Sequence, residues 1–305
     1  YYASKDYQRA IEQYDKIIDA ESKFLKTDSV QVELLGKELV VGVRTAAYYQ
    51  KGNALRNMGK REESVEAYRI VEGRPDSPKL SALAQFQIYE TYYNDKEYRR
   101  AIDEALLLIE RHPLDERVPR AWYDIGWCFR SLGLIDSSNL AFMALAQNYP
   151  KNELDARARY QLAQNYFDQS RWDTAIVSFQ DVIDRYRPET FASTEWENVE
   201  LKAVKDLRLF EAQAGRDVDV NTLELVAKSQ VKIADAYQRQ GRYDEAMKTY
   251  RKVIATFLLM PSLVEATYIK MANYTSELKG FDEGILIYRR AIDENFSNKP
   301  LQAKL

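Results

Sequence analysis

Residues 122–150 read WYDIGWCFRSLGLIDSSNLAFMALAQNYP, and this stretch decides the fold class. Its bulky apolar residues recur at steps of three and four, beginning with Trp122 and Ile125, which places them on one face of a helix. Gly133 interrupts the pattern and supplies a turn at low steric cost. A second helical pattern follows and ends at Pro150. The stretch therefore predicts two helices that fold back on each other as a hairpin.

The same pattern recurs along the chain. Each copy is marked by a small residue, and these residues fall at positions 10, 64, 101, 138, 175, 246 and 284, so the steps are 54, 37, 37, 37, 71 and 38. A bulky residue lies four positions later in every copy except that of Ala105, and another small residue lies 12 positions earlier in most copies. Because each hairpin leaves one face uncovered, hairpins repeated in this way stack into an all-α solenoid.

Composition agrees with this fold and excludes several classes of function. The 305 residues include only 11 Gly and 8 Pro, which argues against sandwiches and barrels with many tight turns. One His and one Cys cannot form a Cys/His zinc site, and no catalytic triad or Gly-rich phosphate loop is evident. The formal charge of −3 gives no strong attraction to nucleic acid, and no apolar run approaches the ~20 residues of a membrane span. We expect no metal, no cofactor and no enzymatic activity.

One acidic segment needs a separate argument. Asp217-x-Asp219-x-Asn221 is similar to the start of a calcium-binding loop. Thr222 stands where such a loop needs Gly, and Lys228 where it needs a Glu ligand. We therefore interpret the segment as a polar turn before a helix.

A family resemblance follows from these residues. The pattern of Trp122, Ile125, Gly126 and Phe129 with Ser138, Phe142, Leu145 and Pro150 resembles the tetratricopeptide repeat, as does Gly241-x-Tyr243-x-x-Ala246-x-x-x-Tyr250. The resemblance covers most of the chain and implies a right-handed α-solenoid of antiparallel helix pairs. The repeat here is 37 residues long, against 34 in the family. The phrase Tyr149-Pro150-Lys151-Asn152, followed by Ala156-x-x-x-Tyr160, is similar to bacterial cell-envelope members, which favours the periplasm or envelope over the cytoplasm.

The repeat spacing predicts one superhelix over residues 1–305. Its units are expected at about 45–78, 82–113, 119–150, 156–188, 227–261 and 265–296, after a partial unit at 1–24 whose first helix we expect upstream of this sequence. The 54-residue step leaves a surplus that we interpret as one long helix over about 29–58. The 71-residue step encloses an irregular insert, 189–226, in which the capping box Thr194-x-x-Glu197 predicts a helix over about 195–214. The insert is interpreted as a degenerate repeat or spacer, or as a docking element for a partner.

The candidate partner-binding residues follow from the resemblance, which implies that the first helix of each unit lines the concave face. An aromatic ladder of Tyr49, Phe86, Tyr123 and Tyr160 occurs there at 37-residue spacing. Farther along the same helices come Asn53, Trp127 and Gln164, and one turn later Arg56, Tyr93, Arg130 and Phe167. Aromatic rings bring apolar area with little rotamer entropy to lose, and amides can bond a peptide backbone. The alternative is that the rings only cover neighbouring helices.

Three hypotheses for function remain. The first is a non-enzymatic protein–protein interaction scaffold that binds a peptide or partner protein on its concave face within a larger assembly. The second is a structural component of a bacterial envelope complex, joined through its ends or the 189–226 insert. The third, a helical-repeat RNA binder, needs a basic inner face, which the net charge of −3 disfavours. An enzyme would require a catalytic domain beyond the termini.

Overall fold

The computed structural model describes residues 5–20, 29–34, 37–74, 77–150, 152–186, 220–257 and 260–294. In these residues the regular structure is helical apart from one β-hairpin, so the all-α prediction is confirmed. The chain divides into two compact units, Tyr1–Leu145 and Ala146–Leu305. The single superhelix over the whole chain stays a prediction.

The first unit is built from consecutive helices joined by short turns. They are α1 (Tyr7–Asp19), α2 (Val43–Asn57), α3 (Arg61–Glu72), α4 (Pro78–Asn94), α5 (Tyr98–Arg111), α6 (Val118–Ser131) and α7 (Ile135–Asn148), whose last residues lie beyond the unit boundary. Helix α2 packs on α3 and α4 packs on α5, while α3 and α5 each pack on the helix that follows. The unit is therefore a stack of helix pairs, each with a first and a second helix.

The second unit repeats this arrangement. Its helices are α8 (Asp155–Asp168), α9 (Trp172–Tyr186), α10 (Val220–Arg239), α11 (Tyr243–Thr256), α12 (Pro261–Lys279) and α13 (Phe281–Glu294). The pairs are α8 with α9, α10 with α11, and α12 with α13, and each second helix packs on the next first helix.

The turn inside each helix pair has a fixed backbone shape. Gly59, Gly133 and Gly241 have φ values of 74°, 75° and 72°, which confirms the turn predicted at Gly133 and shows the same turn in two other pairs. Lys96 and Ser170 hold the same position in two other pairs, with φ values of 61° and 59°. In all five pairs the next residue's N–H donates to the carbonyl five residues earlier at 2.9 Å, which closes the first helix as in a Schellman motif.

The core is built from the small and bulky positions of the repeat. A Cβ atom added to Gly52 would lie 2.7 Å from Cε1 of Tyr68, and one added to Gly126 would lie 2.5 Å from Cε1 of Phe142. Both rings are fully buried. The small residue on the first helix therefore makes room for the ring that the second helix inserts.

The long helix predicted over 29–58 is wrong. The structure has two antiparallel strands there, β1 (Ser29–Leu34) and β2 (Lys37–Gly42), and α2 begins only at Val43. The register pairs Val30 with Val41 and places Ser29 opposite Gly42. The sequence Ser-Val-Gln-Val-Glu-Leu alternates polar and apolar residues with period two, which favours a strand over a helix. Val41 is buried in the core beside α2, so the hairpin is joined to the helix stack.

The helix predicted over 195–214 and the first residues of the calcium-like segment lie outside the described residues. The helices that precede and follow these residues, α9 and α10, pack directly on each other. Nε2 of Gln240 donates to Oδ1 of Asp173 at 2.7 Å across this contact. The stack of pairs therefore continues from α9 to α10 as it does from α3 to α4.

Candidate functional site

The candidate residues lie at three positions on each first helix. The ring position holds Tyr49, Phe86, Tyr123 and Tyr160; the middle position holds Asn53, Glu90, Trp127 and Gln164; and the end position holds Arg56, Tyr93, Arg130 and Phe167. The same three positions fall on Val231, Asp235 and Gln238 in α10. Residues of α2, α4 and α6 belong to the first unit, and those of α8 and α10 to the second.

Rings at the ring position pack on the second helix of their own pair. The Tyr49 and Tyr68 centroids lie 5.7 Å apart, those of Tyr123 and Phe142 5.7 Å, and those of Tyr160 and Phe179 5.5 Å. Tyr49 is buried, whereas Tyr123 and Tyr160 are half-buried. Local packing thus accounts for part of each ring, and the rest of the Tyr123 and Tyr160 rings is accessible.

Phe86 has no such partner, because Ala105 stands where the other pairs have a ring. Its ring packs instead edge-on against Tyr89 in the same helix, with centroids 4.9 Å apart. The Arg117 guanidinium lies 5.8 Å from the Phe86 centroid. Phe86 is half-buried, so it keeps an accessible part of the ring.

Two polar side chains at the middle position, Asn53 and Asp235, are held by a tyrosine of the second helix. The Tyr68 hydroxyl donates to Oδ1 of Asn53 at 2.7 Å, and the Tyr250 hydroxyl donates to Oδ1 of Asp235 at 2.6 Å. Where the second helix carries a phenylalanine instead, the middle position holds Trp127 or Gln164. The hydroxyl therefore fixes Asn53 and Asp235 before any partner binds.

In α2 and α8, the residue at the end position contacts the next first helix. Arg56 hydrogen-bonds to Gln87 and forms an ion pair with Glu90 at 3.2 Å. In the second unit, Phe167 lies under the ammonium of Lys232, with Nζ 4.7 Å from the ring centroid. These contacts between neighbouring pairs limit the rotamers of the predicted site residues.

Trp127 is the centre of an aromatic group on α6. Its ring lies 6.4 Å from that of Tyr123 and 6.5 Å from that of Phe142, and the Arg130 guanidinium lies 5.8 Å from its centroid. Trp127, Tyr123 and Arg130 are all half-buried. The Trp127 and Tyr123 rings form an apolar surface, and the Arg130 guanidinium lies beside it.

A buried carboxylate lies next to this group, at Asp124. It accepts from Nε of Arg120 at 2.8 Å and from the Tyr89 hydroxyl at 3.3 Å, while its other oxygen has no hydrogen-bond partner among the described residues. Burial raises the pKa of the Asp124 carboxyl, and the hydrogen bond from Arg120 opposes this. Half-buried Tyr93 has its pKa raised to about 12 by burial and by the charge of Asp124.

The second unit contributes charged residues that the sequence argument missed. They are Lys232 and Asp235 on α10 and Lys270 on α12, whose Nζ lies 2.6 and 2.7 Å from the two oxygens of Asp235. Gln164, a predicted residue, donates to Oδ1 of Asp168 at 2.6 Å. Of these residues, Asp235 had a signal, because it lies at the middle position of α10, which continues the same three positions after the 71-residue step.

The described residues offer no arrangement that resembles a metal centre. No group of three or more His, Cys, Asp or Glu side chains there is placed to hold a metal ion. Cys128 is buried, and burial raises its pKa to about 12, so it is a thiol and not a nucleophilic thiolate at neutral pH. Within the same ranges, no helix is both long enough and apolar enough to cross a bilayer.

Comparison with known proteins identifies the repeat. A tetratricopeptide-repeat family model matches residues 120–152, 157–187 and 228–257, and a second model of the same repeat matches residues 45–69. No curated protein matches the chain by sequence.

Solved structures share the fold at low sequence identity. The chain is similar to the C-terminal part of a TPR repeat-containing protein from Cytophaga hutchinsonii, at 13% identity and a TM-score of 0.55, over 99% of this chain and 96% of that one. MamA aligns at 15% identity and a TM-score of 0.44, over 77% of this chain and 95% of that one. YrrB, a TPR protein with an unusual peptide-binding site, aligns at 11% identity and a TM-score of 0.40, over 72% of this chain and 89% of that one. At these identities the likeness concerns the fold alone.

Proposed function

We propose that this chain, a tetratricopeptide-repeat protein, is a non-enzymatic scaffold that binds a peptide or a partner protein through the inner faces of its first helices. The observation that supports this function is the ordered surface at the ring, middle and end positions. Tyr123 and Tyr160 are half-buried against the second helix of their own pair, and Asn53 and Asp235 are already held by hydrogen bonds. Side chains fixed in this way lose little entropy when a partner binds, which favours affinity.

The group around Trp127 is the strongest candidate for an anchor in the first unit. Tryptophan, tyrosine and arginine are the residue types that dominate binding energy at protein interfaces. Trp127, Tyr123 and Arg130 combine these types on one face of α6, and none of the three is fully buried. We therefore place the main contact of the first unit at these residues.

The function is tested by selecting peptides from a displayed library against the full chain and measuring their affinities. Trp127→Ala should weaken binding of the selected peptides by about 30-fold, the effect of losing a hot-spot residue worth ~2 kcal/mol. Phe281→Ala is the matched control, because Phe281 is 74% exposed and lies on a second helix. Urea unfolding of both variants separates lost binding from lost folding. Equal affinities of the two variants would contradict the proposal.

A further inference from the structure

The β-hairpin leaves two backbone edges beside which no other strand of the described residues lies. Strands β1 and β2 form a two-stranded antiparallel sheet, and their register is continuous from the Ser29–Gly42 pair to the Leu34–Lys37 pair. In such a sheet, alternate residues direct their backbone N–H and C=O groups toward the other strand, and the remaining groups point outward. Each outer edge is therefore a row of donors and acceptors to which an extended chain can hydrogen-bond.

Strand β1 has little of the protection that edge strands usually carry. Soluble proteins commonly place a proline, a lysine or a bulge on an edge strand, or keep the strand very short. The six residues of β1 include neither proline nor lysine, and they pair with β2 without a bulge. Glu33 is the one charged residue of β1, whereas β2 begins with Lys37 followed by Glu38. Strand β1 is therefore the edge that is more open to another strand.

The hairpin is held against the helices of the first unit. Val41 on β2 is 4% exposed and belongs to the core cluster that contains Tyr49 and Tyr68. Val30, which the register places opposite Val41, is 37% exposed, so the apolar pattern of the hairpin extends from the core to the surface at β1. Packing against a helix gives a hairpin the stability that it lacks alone. A third strand would therefore join an edge that is already ordered, which keeps the entropy cost of binding low.

The register also indicates which side chains the third strand should carry. It places Glu33 directly opposite Glu38, and like charges at directly opposed positions destabilise a sheet. A strand added beside β1 would bring one of its own residues next to Glu33, where a lysine or arginine would offset the repulsion. Val30 and Val32 favour β-branched residues beside them. Basic and β-branched residues should therefore alternate along the added strand.

We propose that β1 binds an extended segment of a partner protein as a third strand, with basic and β-branched residues alternating in this segment and a basic residue beside Glu33. A second copy of this chain suits the edge less well, because its hairpin would bring another Glu33 and Glu38 to a site that already carries both. This binding uses backbone groups of the hairpin and none of the first-helix positions. It is therefore independent of the proposed scaffold function.

The test measures the affinity of the full chain for a fluorescein-labelled peptide, Lys-Val-Lys-Val-Lys-Val-amide, by fluorescence anisotropy. Two control peptides each remove one feature: Glu-Val-Glu-Val-Glu-Val-amide reverses the charge, and the fully N-methylated lysine peptide keeps the side chains without the backbone N–H groups. The unmodified lysine peptide should bind about 10-fold more tightly than either control, because the controls lose the cross-strand ion pairs or the backbone hydrogen bonds. Bound lysine peptide should also slow amide hydrogen exchange at residues 29–34.

The matched variant carries Glu33→Lys and Glu38→Lys, and it should prefer the acidic peptide. Equal binding of the N-methylated peptide to the unchanged chain, or an unchanged preference in the variant, would overturn the inference. A chain that sediments as a dimer, with slow exchange at residues 29–34 before peptide is added, would overturn it by assigning the edge to a second copy. Trp127→Ala should leave the affinity for the lysine peptide unchanged. A loss of affinity in that variant would place the peptide on the first helices, which overturns this inference without contradicting the scaffold function.

Discussion

Tyr89 on α4 and Ala105 on α5 reverse the sizes of the residues found at the two equivalent positions in the neighbouring helix pairs. Those positions hold Gly52 and Tyr68 in one neighbouring pair, and Gly126 and Phe142 in the other, always with the small residue on the first helix. In α4 and α5 the large residue stands on the first helix and the small one on the second. Tyr89 and Ala105 are each 1% exposed and belong to the same core cluster. The repeat therefore conserves the combined volume of the two positions and not the residue at either one.

This exchange predicts strong coupling between the two residues. Tyr89→Ala should lower the free energy of unfolding by about 3–5 kcal/mol, because it leaves a cavity. Ala105→Tyr should lower it by about 1–3 kcal/mol, because two rings then compete for one space. The double variant should lose less than the sum of the two losses. Urea unfolding of the four proteins measures the coupling, and additive losses would show that the two sites are independent.

The fold was largely predictable, because helix pairs of constant length impose a spacing that survives variation at single positions. Two departures from the repeat pattern were visible in the sequence, each by itself. Ala105 stands where a bulky residue is expected, and position 89 lacks the expected small residue. Only the packing of α4 on α5 shows that each compensates for the other. The strands at 29–34 and 37–42 were mistaken for a helix because the surplus of the 54-residue step was assigned to a longer first helix, and the period-two alternation of Val30 and Val32 was not given weight.

The turn inside each helix pair contains one residue of positive φ, and two substitutions at this position should have opposite effects on the free energy of unfolding. Lys96→Gly should raise the free energy of unfolding by about 0.5–1 kcal/mol, since a side chain at φ 61° is strained and glycine is not. Gly133→Ala should lower it by about 1 kcal/mol at φ 75°, although nothing lies within 4 Å of the added Cβ. Chemical denaturation checks both values. Effects of the same sign in the two variants would contradict the argument from backbone strain.

The candidate site was predictable only in part, because sequence spacing places a residue on a face without showing what it contacts there. Tyr49 and Tyr123 share the ring position, yet one is buried and the other keeps an accessible edge. Asp235 was missed because the ladder was followed only as far as Phe167. Its ion pair with Lys270 joins α10 to α12, which the spacing within α10 does not reveal.

The tyrosine hydroxyls at the bulky position should stabilise the fold to different extents, because one bonds a carboxylate and the other a neutral amide. Tyr250→Phe removes a hydrogen bond to the carboxylate of Asp235, and should lower the free energy of unfolding by about 1.5–3 kcal/mol. Tyr68→Phe removes a neutral bond to the amide of Asn53, and should cost about 0.5–1.5 kcal/mol. Urea unfolding at neutral pH gives both losses. A larger loss for Tyr68→Phe than for Tyr250→Phe would contradict the assigned roles.

His112 predicts how stability depends on pH near neutrality. Burial lowers its pKa below the ordinary value of 6.5, so the unfolded chain takes up its proton first as the pH falls. The stability that neutral His112 contributes is full above pH 6.5 and is lost as the pH falls through the folded-state pKa. His112→Gln should therefore flatten the fall in unfolding free energy below pH 6.5. Because the chain has one histidine, NMR titration of its imidazole checks the lowered pKa directly.

The direct packing of α9 on α10 predicts that residues 187–219 can be replaced by a short linker. Connections from a second helix to the next first helix are short elsewhere, such as 112–117 between α5 and α6. Replacing the 33 residues by six of Gly and Ser should raise the free energy of unfolding by about 1.5 kcal/mol, the entropy saved by closing a shorter loop. Circular dichroism checks that helicity per residue is kept, and urea unfolding measures the gain. A clear loss of stability would show that the segment contributes to the packing of the second unit. Retained stability together with loss of a partner would instead support the docking role considered for the insert.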